Sequence, residues 1–432
     1  MAEASEPSPW LLRWQGCLPS SAAQQKRLAN LAGIVLILLL AGLPLVTRTG
    51  LGLIVLACGA LWLLWSLSKP PERLGEISGW LLLFLAVAVL ATGFSPVPAA
   101  ALKGLVKLLS YLGVYALMRQ LLAVRPAWWD RLLAALLGGS LLTDVLALRQ
   151  LYAPTEELAR WADPNSVAEG TIRIYGPLGN PNLLAGYLVP ILPLALVACI
   201  RWRGWGSRAF AATAFSLGCA SVLFSYSRGG WLALVAAIGS LVLLLVLRAI
   251  RHWPPLWKRL VPLALLGAGG LLLALAVTQV DPIRTRVMSL LAGRGDSSNN
   301  FRINVWLAAI DMIQDRPWLG IGPGNAAFNS VYPLYQQPKF NALSAYSVPL
   351  ELLVETGIPG LIACIGLALA SLRRGLRALA SDADLALPCI GCLAAITGLL
   401  VHGAADTIFF RPEVQITGWF CLATLSQCRQ RA

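Results

Sequence analysis

Few residues in this chain could do chemistry, and two of them are carboxylates within an otherwise apolar stretch. Glu351 and Glu355 lie four residues apart in YSVPLELLVETGIPG, so one face of a helix would carry both, about one turn apart. Carboxylates inside an apolar helix either pair with basic residues of neighbouring helices or line a functional cavity. The sequence leaves both interpretations open.

A second group of polar residues lies near the end of the chain, in HGAADTIFFRP. His402 and Asp406 are four residues apart, so in a continuing helix the carboxylate could orient the imidazole, as a general base requires. Arg411 follows in the same segment. The alternative is an interfacial histidine whose hydrogen bonds are satisfied and which has no catalytic role.

Arginines at the ends of apolar stretches are candidate ligands for an anion. Arg228 follows an apolar run in SYSRGGW, where the two glycines would let a ligand approach its guanidinium. Arg302 lies in NNFRINVWLAAIDMIQ, whose apolar spacing predicts an amphipathic helix capped by Ser297, Ser298 or Asn299. Guanidinium groups suit phosphate or carboxylate. Taken singly, each arginine also fits a membrane-interface anchor or a solvated surface charge.

Membrane-spanning helices must position these residues. Of the 432 residues, 57% are hydrophobic and 12% are charged, against about 25% charged in soluble domains, which excludes a soluble enzyme. Apolar runs of about 20 residues predict twelve spans, with the last the weakest because Arg411 and Glu413 interrupt its start. The predicted spans are 28–47, 50–67, 77–94, 104–123, 132–152, 181–200, 209–226, 230–247, 260–280, 346–370, 385–403 and 407–425.

Membrane topology explains the formal charge of +14 better than a nucleic-acid partner does. With the N-terminus inside, the basic clusters RWRGWGSR, RAIRHWPPLWKR and RRGLR all lie on the cytoplasmic side, in accordance with the positive-inside rule. Arg228, Glu351 and His402 then face outward. The predicted fold class is an all-α polytopic membrane protein with about twelve spans. It is divided into a cytoplasmic tail (1–27), spans one to nine (28–280), a long, partly helical outer loop (281–345), spans ten to twelve (346–425) and a second cytoplasmic tail (426–432).

The sequence predicts neither a metal site nor a cofactor. Cys389 and Cys392 form a C-x-x-C pattern, but they lie in an apolar stretch without nearby His or Asp. The chain has only two histidines, and its nine cysteines are scattered without the spacing of a disulfide framework.

Three segments resemble the O-antigen ligase and polymerase superfamily of bacterial membrane proteins. They are YGPLGNPNLLAGYL (175–188), SYSRGGW (225–231) and the stretch from FRINVW to ETGIPGL (301–361). In ligases of this family the tenth span opens with His, then Asn, Ser or Gln, then nine residues and a Gly. Here Tyr346, Ser347 and Gly357 hold those positions. The Tyr-Ser variant, together with HGAADTIFFRPE, looks most like the cyanobacterial inorganic carbon transporter B branch, which is named for bicarbonate transport.

The resemblance implies metal-independent glycosyl transfer at the outer face of a bacterial plasma membrane. In the family, the histidine activates an acceptor hydroxyl and arginines bind the diphosphate of a polyprenyl-linked glycan donor. Arg228 and Arg302 match such arginines. Tyr346 stands in place of the histidine, so general-base work near neutral pH would require a strong downward shift of its pKa from the usual value of about 10.

Three functional hypotheses follow. In the first, an outer-facing arginine pocket binds a polyprenyl diphosphate-linked glycan or another anion. Its candidate catalytic residues are Tyr346, His402, Asp406 and Glu355, and its candidate binding residues are Arg228, Arg302, Arg173, Asn182, Glu351 and Arg411. In the second, the protein takes up bicarbonate or assists a transporter that does. The third is a membrane scaffold without chemistry.

Overall fold

The computed structural model describes residues 21–68, 74–152, 173–279, 281, 284, 285, 287, 288 and 292–428. Helices and turns account for the regular structure of these residues, which confirms the all-α fold class. The helices are α1 (Ala22–Gly42), α2 (Arg48–Ser68), α3 (Glu76–Gly93), α4 (Pro98–Val124), α5 (Trp128–Leu148), α6 (Pro181–Leu188), α7 (Ile191–Arg201), α8 (Trp205–Phe224), α9 (Arg228–Ala249), α10 (Pro255–Gln279), α11 (Ser297–Asp315), α12 (Asn325–Val331), α13 (Val348–Arg377), α14 (Ala386–Ala404) and α15 (Pro412–Ser426).

Eleven helical stretches within the described residues are long and apolar enough to cross a membrane. They coincide with the first eleven predicted spans, and α6 and α7 together make the sixth. The predicted twelfth span corresponds to α15, which has 15 residues and begins only after Arg411. It is shorter than the 20 or so residues that a span needs, and its residues from Val414 to Leu425 are buried.

The outward surfaces of these helices are apolar. Large side chains on them are about half exposed or more, among them Leu38, Leu53, Leu64, Leu83 and Leu272. In water, an apolar surface of this extent would cause molecules of the protein to associate, whereas in a bilayer the acyl chains of lipids cover it. The helices therefore indicate a multi-pass membrane protein. Most of the predicted tails, and residues 153–172 of a predicted outer connection, lie outside the described residues.

The helix α13 is broken at Gly357, whose φ of 66° and ψ of −167° are not helical. The segment after α11 packs against the break, and its backbone forms hydrogen bonds with N–H and C=O groups that the break leaves unpaired within α13. Three hydrogen bonds join the two: Ile358 N–H to the Pro317 carbonyl at 2.8 Å, Ile321 N–H to the Val354 carbonyl at 2.8 Å, and Gly322 N–H to the Glu355 carbonyl at 2.9 Å. A Cβ on Gly357 would lie 2.3 Å from the Trp318 carbonyl oxygen. This close approach and the positive φ explain why the Tyr-Ser motif ends in glycine.

The segment GIGPG (320–324) forms a loop that lies between α4 and α13. Gly320, Gly322 and Gly324 all have positive φ. A Cβ on Gly104 of α4 would lie 1.9 Å from the carbonyl oxygen of Pro323, so the loop and the helix touch backbone to backbone. This contact holds the α11–α12 region, and Arg302 with it, against the end of the bundle.

The predicted amphipathic helix is α11, but the prediction of its N-cap was wrong. The cap is Asp296, one residue before the predicted candidates, and its carboxylate accepts a hydrogen bond from the Asn299 N–H at 3.1 Å. Aspartate caps a helix as well as serine does. Its charge also allows an ion pair with Arg228, which a serine hydroxyl could not form. The buried face of α11 includes Val305, Ala308 and Met312.

Candidate functional site

A cavity of about 1620 Å³ lies near the end of the bundle at which α2 and α9 begin and α14 ends. Seven basic and three acidic side chains line it: Arg48, Lys107, Arg173, Arg228, Arg302, Lys339, Arg411, Glu351, Asp406 and Glu413. A cavity wall with an excess of one sign of charge concentrates ligands of the opposite sign. Its charge therefore favours an anionic ligand.

Nine of the ten site residues predicted from the sequence line this cavity, and Glu355 does not. The structure thus brings together side chains from α6, α9, α11, α13 and α14 and from the turns beside them. Their placement is a structural fact, and the roles assigned to them stay predictions.

Arg228 is the first residue of α9, and it lies beside the cap of α11. Ser227 caps α9 by accepting a hydrogen bond from the Gly230 N–H at 3.2 Å. The Nη2 atom of Arg228 lies 3.1 Å from Oδ1 of Asp296, and the two side chains are 9% and 1% exposed. The buried pair therefore ties the start of α9 to the start of α11. An anion that binds Arg228 must compete with Asp296 for its guanidinium.

A polar network on the facing wall of the cavity is centred on Asp406. Asn182 Nδ2 donates to Asp406 Oδ2 at 2.9 Å, and Arg173 Nη2 donates to Asn182 Oδ1 at 2.9 Å. Arg302 Nη2 lies 3.7 Å from the same Asp406 oxygen. The Thr407 N–H donates to the other oxygen, Oδ1, at 2.8 Å. The carboxylate is thus fixed in orientation, and it joins α6, α11 and the turn after α14.

Arg302 and Asp406 are both accessible from the cavity. Their side chains are 18% and 12% exposed. The Nε atom of Arg302 is buried and has no hydrogen-bond partner among the described residues. Since a guanidinium carries five N–H donors in a fixed fork, Arg302 has donors to offer a ligand.

Tyr346 lies in the turn before α13 with a φ of 50°. Its ring packs edge to face on Phe301, with centroids 5.4 Å apart. Burial raises the pKa of Tyr346 above its usual value, the charge of Asp406 raises it further, and the charge of Arg302 lowers it only in part. The downward shift that general-base chemistry requires is therefore absent. Near neutral pH the phenol is a hydrogen-bond donor.

His402 fits neither interpretation of its sequence. The helix α14 ends at Ala404, so no continuous helix places Asp406 one turn beyond His402. The ring is fully buried, and neither of its nitrogens has a hydrogen-bond partner among the described residues. Gly229 packs directly on it, since a Cβ there would lie 3.0 Å from Cδ2 of the ring. The imidazole thus has no hydrogen-bond partner among the described residues, and it borders the cavity while being fully buried.

The two glutamates of α13 accept hydrogen bonds from backbone N–H groups and do not pair with basic side chains. Glu351 accepts a hydrogen bond from the Ala345 N–H, which fixes the turn that carries Tyr346. Glu355 accepts one from the Gly324 N–H and so anchors the GIGPG loop. Neither glutamate forms an ion pair with a described residue, so the first of the two interpretations left open by the sequence, pairing with basic residues of neighbouring helices, is not seen among these residues.

Sequence reasoning missed several residues of the cavity, although one of them carried a signal. Lys107 is a charged residue inside a predicted span, which by itself favours a functional role. Its Nζ donates to the carbonyl of Phe410 at 3.1 Å. Glu413, at the start of α15, has a buried Oε2 with no partner among the described residues.

Backbone strain is concentrated at the cavity. Tyr226, Lys339 and Tyr346 have φ values of 48°, 76° and 50°, and they are the non-glycine residues with positive φ in the part of the chain that the structure describes. All three line the cavity. Residues held in such conformations cluster at functional sites, where neighbouring contacts over-determine the backbone. The strain therefore singles out this cavity on grounds independent of its charge.

Comparison with known proteins gives one family match. Residues 212–365 match a family model described as O-antigen ligase. The matched segment contains Arg228, Arg302 and Tyr346 and the break at Gly357. A search of curated proteins found no match to the chain. Together with the apolar helices, the family match supports an O-antigen-ligase-like membrane protein.

Proposed function

We propose that the protein binds a polyprenyl diphosphate-linked glycan in the cavity and transfers the glycan to an acceptor hydroxyl. The observation that carries the proposal is that Arg228, Arg302 and Asp406 line one cavity, with two guanidinium groups to bind phosphate and a carboxylate to accept a proton. Guanidinium forks match the geometry of phosphate oxygens and bind them in charge-assisted hydrogen bonds.

The size of the cavity favours a large substrate. Sites for small molecules occupy about 300–1,000 Å³, whereas this cavity has about 1620 Å³. A diphosphate with several sugars would use this space. Bicarbonate would occupy a small fraction of it and would keep most of its water, so the volume favours the glycan over the bicarbonate alternative.

The transfer step assigns a role to each charged group. The acceptor oxygen attacks the anomeric carbon, its proton passes to the Asp406 carboxylate, and the bond from that carbon to the diphosphate oxygen breaks. Polyprenyl diphosphate leaves with the bonding electrons, and Arg228 and Arg302 stabilise its negative charge as it develops. Tyr346 keeps its proton and can donate a hydrogen bond to the leaving oxygen.

Asp406 is the better candidate base than His402 or Tyr346. Its side chain reaches the cavity, whereas the ring of His402 is fully buried and the pKa of Tyr346 is raised by burial. A carboxylate has two oxygens that can each accept more than one hydrogen bond. Asp406 can therefore accept an acceptor proton while Asn182 and Thr407 hold it in place.

The experiment is a transfer assay with purified protein in nanodiscs, a radiolabelled polyprenyl diphosphate glycan and an acceptor glycolipid. Asp406→Asn should lower kcat about 10²–10⁴-fold, as expected for loss of a general base. Arg228→Ala should weaken donor binding, whereas Tyr346→Phe and His402→Gln should keep most of the activity. Arg373→Ala is the matched control, because Arg373 pairs with Glu76 outside the cavity.

Two results would overturn the proposal. The first is no transfer by the wild type, together with accumulation of labelled bicarbonate in proteoliposomes that depends on Arg228, which would favour transport. The second is transfer that survives Asp406→Asn and is lost in His402→Gln. That outcome would place the base on the buried imidazole.

A further inference from the structure

A second concave site lies at the opposite end of the bundle. Its volume is about 840 Å³, and Asp384, just before α14, lines it. His402, at the other end of the same helix, lines the large cavity. Since a helix rises 1.5 Å per residue, the 19 residues of α14 separate the two sites by nearly 30 Å. The smaller site, which we call the arginine groove, includes Asp130, Arg131, Arg201, Arg203 and Phe210.

The two acidic residues of the arginine groove, Asp130 and Asp384, share one arginine. Arg201 binds Asp130 through two parallel hydrogen bonds, Nε to Oδ1 at 2.9 Å and Nη2 to Oδ2 at 3.0 Å. The same Nη2 lies 2.9 Å from Oδ1 of Asp384. Trp202 Nε1 also donates to Asp130 Oδ1 at 2.9 Å. These bonds tie α5, α7 and the segment before α14 together.

Two further arginines of the groove have no such partner. Arg131 stacks on the ring of Trp128, with its guanidinium carbon 4.8 Å from the ring centroid. Neither Arg131 nor Arg203 forms an ion pair with a described residue, and both are exposed. Stacking leaves the edge N–H donors of Arg131 free. With three arginines and two aspartates the groove carries one net positive charge, and Arg131 and Arg203 are the two guanidinium groups that lie outside its ion pairs.

Aromatic side chains surround this charge at the helix ends. Trp205, the first residue of α8, is 85% exposed, and Phe210, five residues further along α8, lines the groove. Trp128 and Trp202 lie beside it. Trp205 is thus an exposed indole at the end of a membrane-spanning helix, a position typical of the lipid headgroup level. A soluble anion would gain nothing from this apolar border, whereas a phosphate that carries acyl chains would.

We infer that the arginine groove binds the headgroup of an anionic phospholipid, with its phosphate on Arg131 and Arg203 and its acyl chains along α5 and α8. Basic pockets between membrane helices are known binding sites for anionic headgroups. The site is independent of the glycan substrate and needs no chemistry. It would fix the ends of α5 and α8 relative to the bilayer.

The test is native mass spectrometry of the full-length protein with phosphatidylglycerol and phosphatidylcholine of identical acyl chains. We expect phosphatidylglycerol to bind more tightly. Arg131→Ala and Arg203→Ala should each weaken its binding about fivefold, because one basic side chain near an anionic lipid contributes about 1 kcal/mol. The double variant should lose about 25-fold, and Arg203→Lys should recover part of the loss. Lys258→Ala is the control, since Lys258 is an exposed basic residue of α10 outside the groove.

Each other outcome counts against the inference. Equal binding of the two lipids by the wild type would show that the groove does not select charge. Unchanged phosphatidylglycerol binding in the folded double variant would place the lipid elsewhere. Displacement of phosphatidylglycerol by millimolar inorganic phosphate would show a site for soluble phosphate. A melting temperature for each variant excludes misfolding as the cause of lost binding.

Discussion

Replacing Asp296 should change stability and anion binding in opposite directions. Asp296 makes two separable contacts, since it caps α11 through the Asn299 N–H and pairs with Arg228 at 3.1 Å. Asp296→Asn keeps a good capping side chain and removes the charge. Asp296→Ala removes both contacts. The two variants therefore separate the cap from the ion pair.

The expected loss of stability in each variant follows from the contacts that the substitution removes. Loss of a helix cap costs about 1 kcal/mol. Removing one partner of a buried ion pair costs about 3–5 kcal/mol, and the lower end applies here because Arg228 also faces an open cavity. Asp296→Asn should thus lower the free energy of unfolding by about 3 kcal/mol, and Asp296→Ala by about 4 kcal/mol.

Anion binding should improve in Asp296→Asn, because the carboxylate competes for Arg228. A phosphate on the outer edge of the guanidinium would lie about 7 Å from the Asp296 carboxylate, and at an effective dielectric constant of about 20 the repulsion is about 2 kcal/mol. Removing it should tighten phosphate binding by up to about 30-fold. Arg228→Ala, in contrast, should lose both stability and binding.

Thermal unfolding in detergent, combined with a titration of a polyprenyl diphosphate, measures both quantities. Asp382→Asn is the matched control, because this aspartate pairs with Arg248 and Arg251 but is 69% exposed, so its loss should cost less than about 1 kcal/mol. If Asp296→Asn bound the diphosphate more weakly than the wild type at unchanged stability, the competition between Asp296 and phosphate would be refuted.

Three further predictions concern residues that support or line the cavity, namely Gly357, Asn182 and Tyr346. Gly357→Ala should cost at least about 2–3 kcal/mol and lower the melting temperature, because a Cβ would meet the Trp318 carbonyl and force a strained φ, whereas Gly239→Ala on the open face of α9 should be neutral or stabilising. Asn182→Ala should destabilise by about 1.5–3 kcal/mol, measured by the same unfolding assay, because it removes one hydrogen bond from Arg173 and one from the Asp406 carboxylate. The raised pKa of Tyr346 stabilises the fold below its unfolded pKa of about 10, and this contribution is lost as the pH rises through the folded pKa. Melting curves between about pH 8 and 11 should therefore show a smaller alkaline loss in Tyr346→Phe than in the wild type, and equal losses would contradict the pKa shift.

The sequence was sufficient to predict the helices, because in a membrane the apolar run itself is the structural signal. It also predicted which residues would gather, because Arg228, Glu351 and His402 were assigned to ends of spans on the same side. The prediction of a twelfth span at 407–425 was the weakest, and the structure shows the physical reason. Arg411 and Glu413 belong to the cavity, so α15 starts after the first of them and is too short to span alone.

The partners of these residues could not be predicted, because they are distant in sequence and follow no local period. Arg228 and Asp296 are 68 positions apart, and Asn182 and Asp406 are 224 positions apart. Nor does the sequence show that Tyr346 adopts a positive φ, since the family motif names residue types and no backbone angles. These contacts depend on the packing of the helices, which a single sequence does not specify.

The resemblance to O-antigen ligases implies a histidine where this chain has Tyr346, and the contacts around this turn do not require either side chain. The turn is held by backbone contacts, in which Glu351 accepts from the Ala345 N–H and the Trp306 Nε1 donates to the Tyr346 carbonyl at 3.4 Å. None of these contacts depends on the side chain at position 346, so a base could be lost there while the cavity persisted. Under the proposed function, Asp406, the fixed carboxylate that reaches the same cavity, takes the proton of the acceptor in place of a residue at position 346.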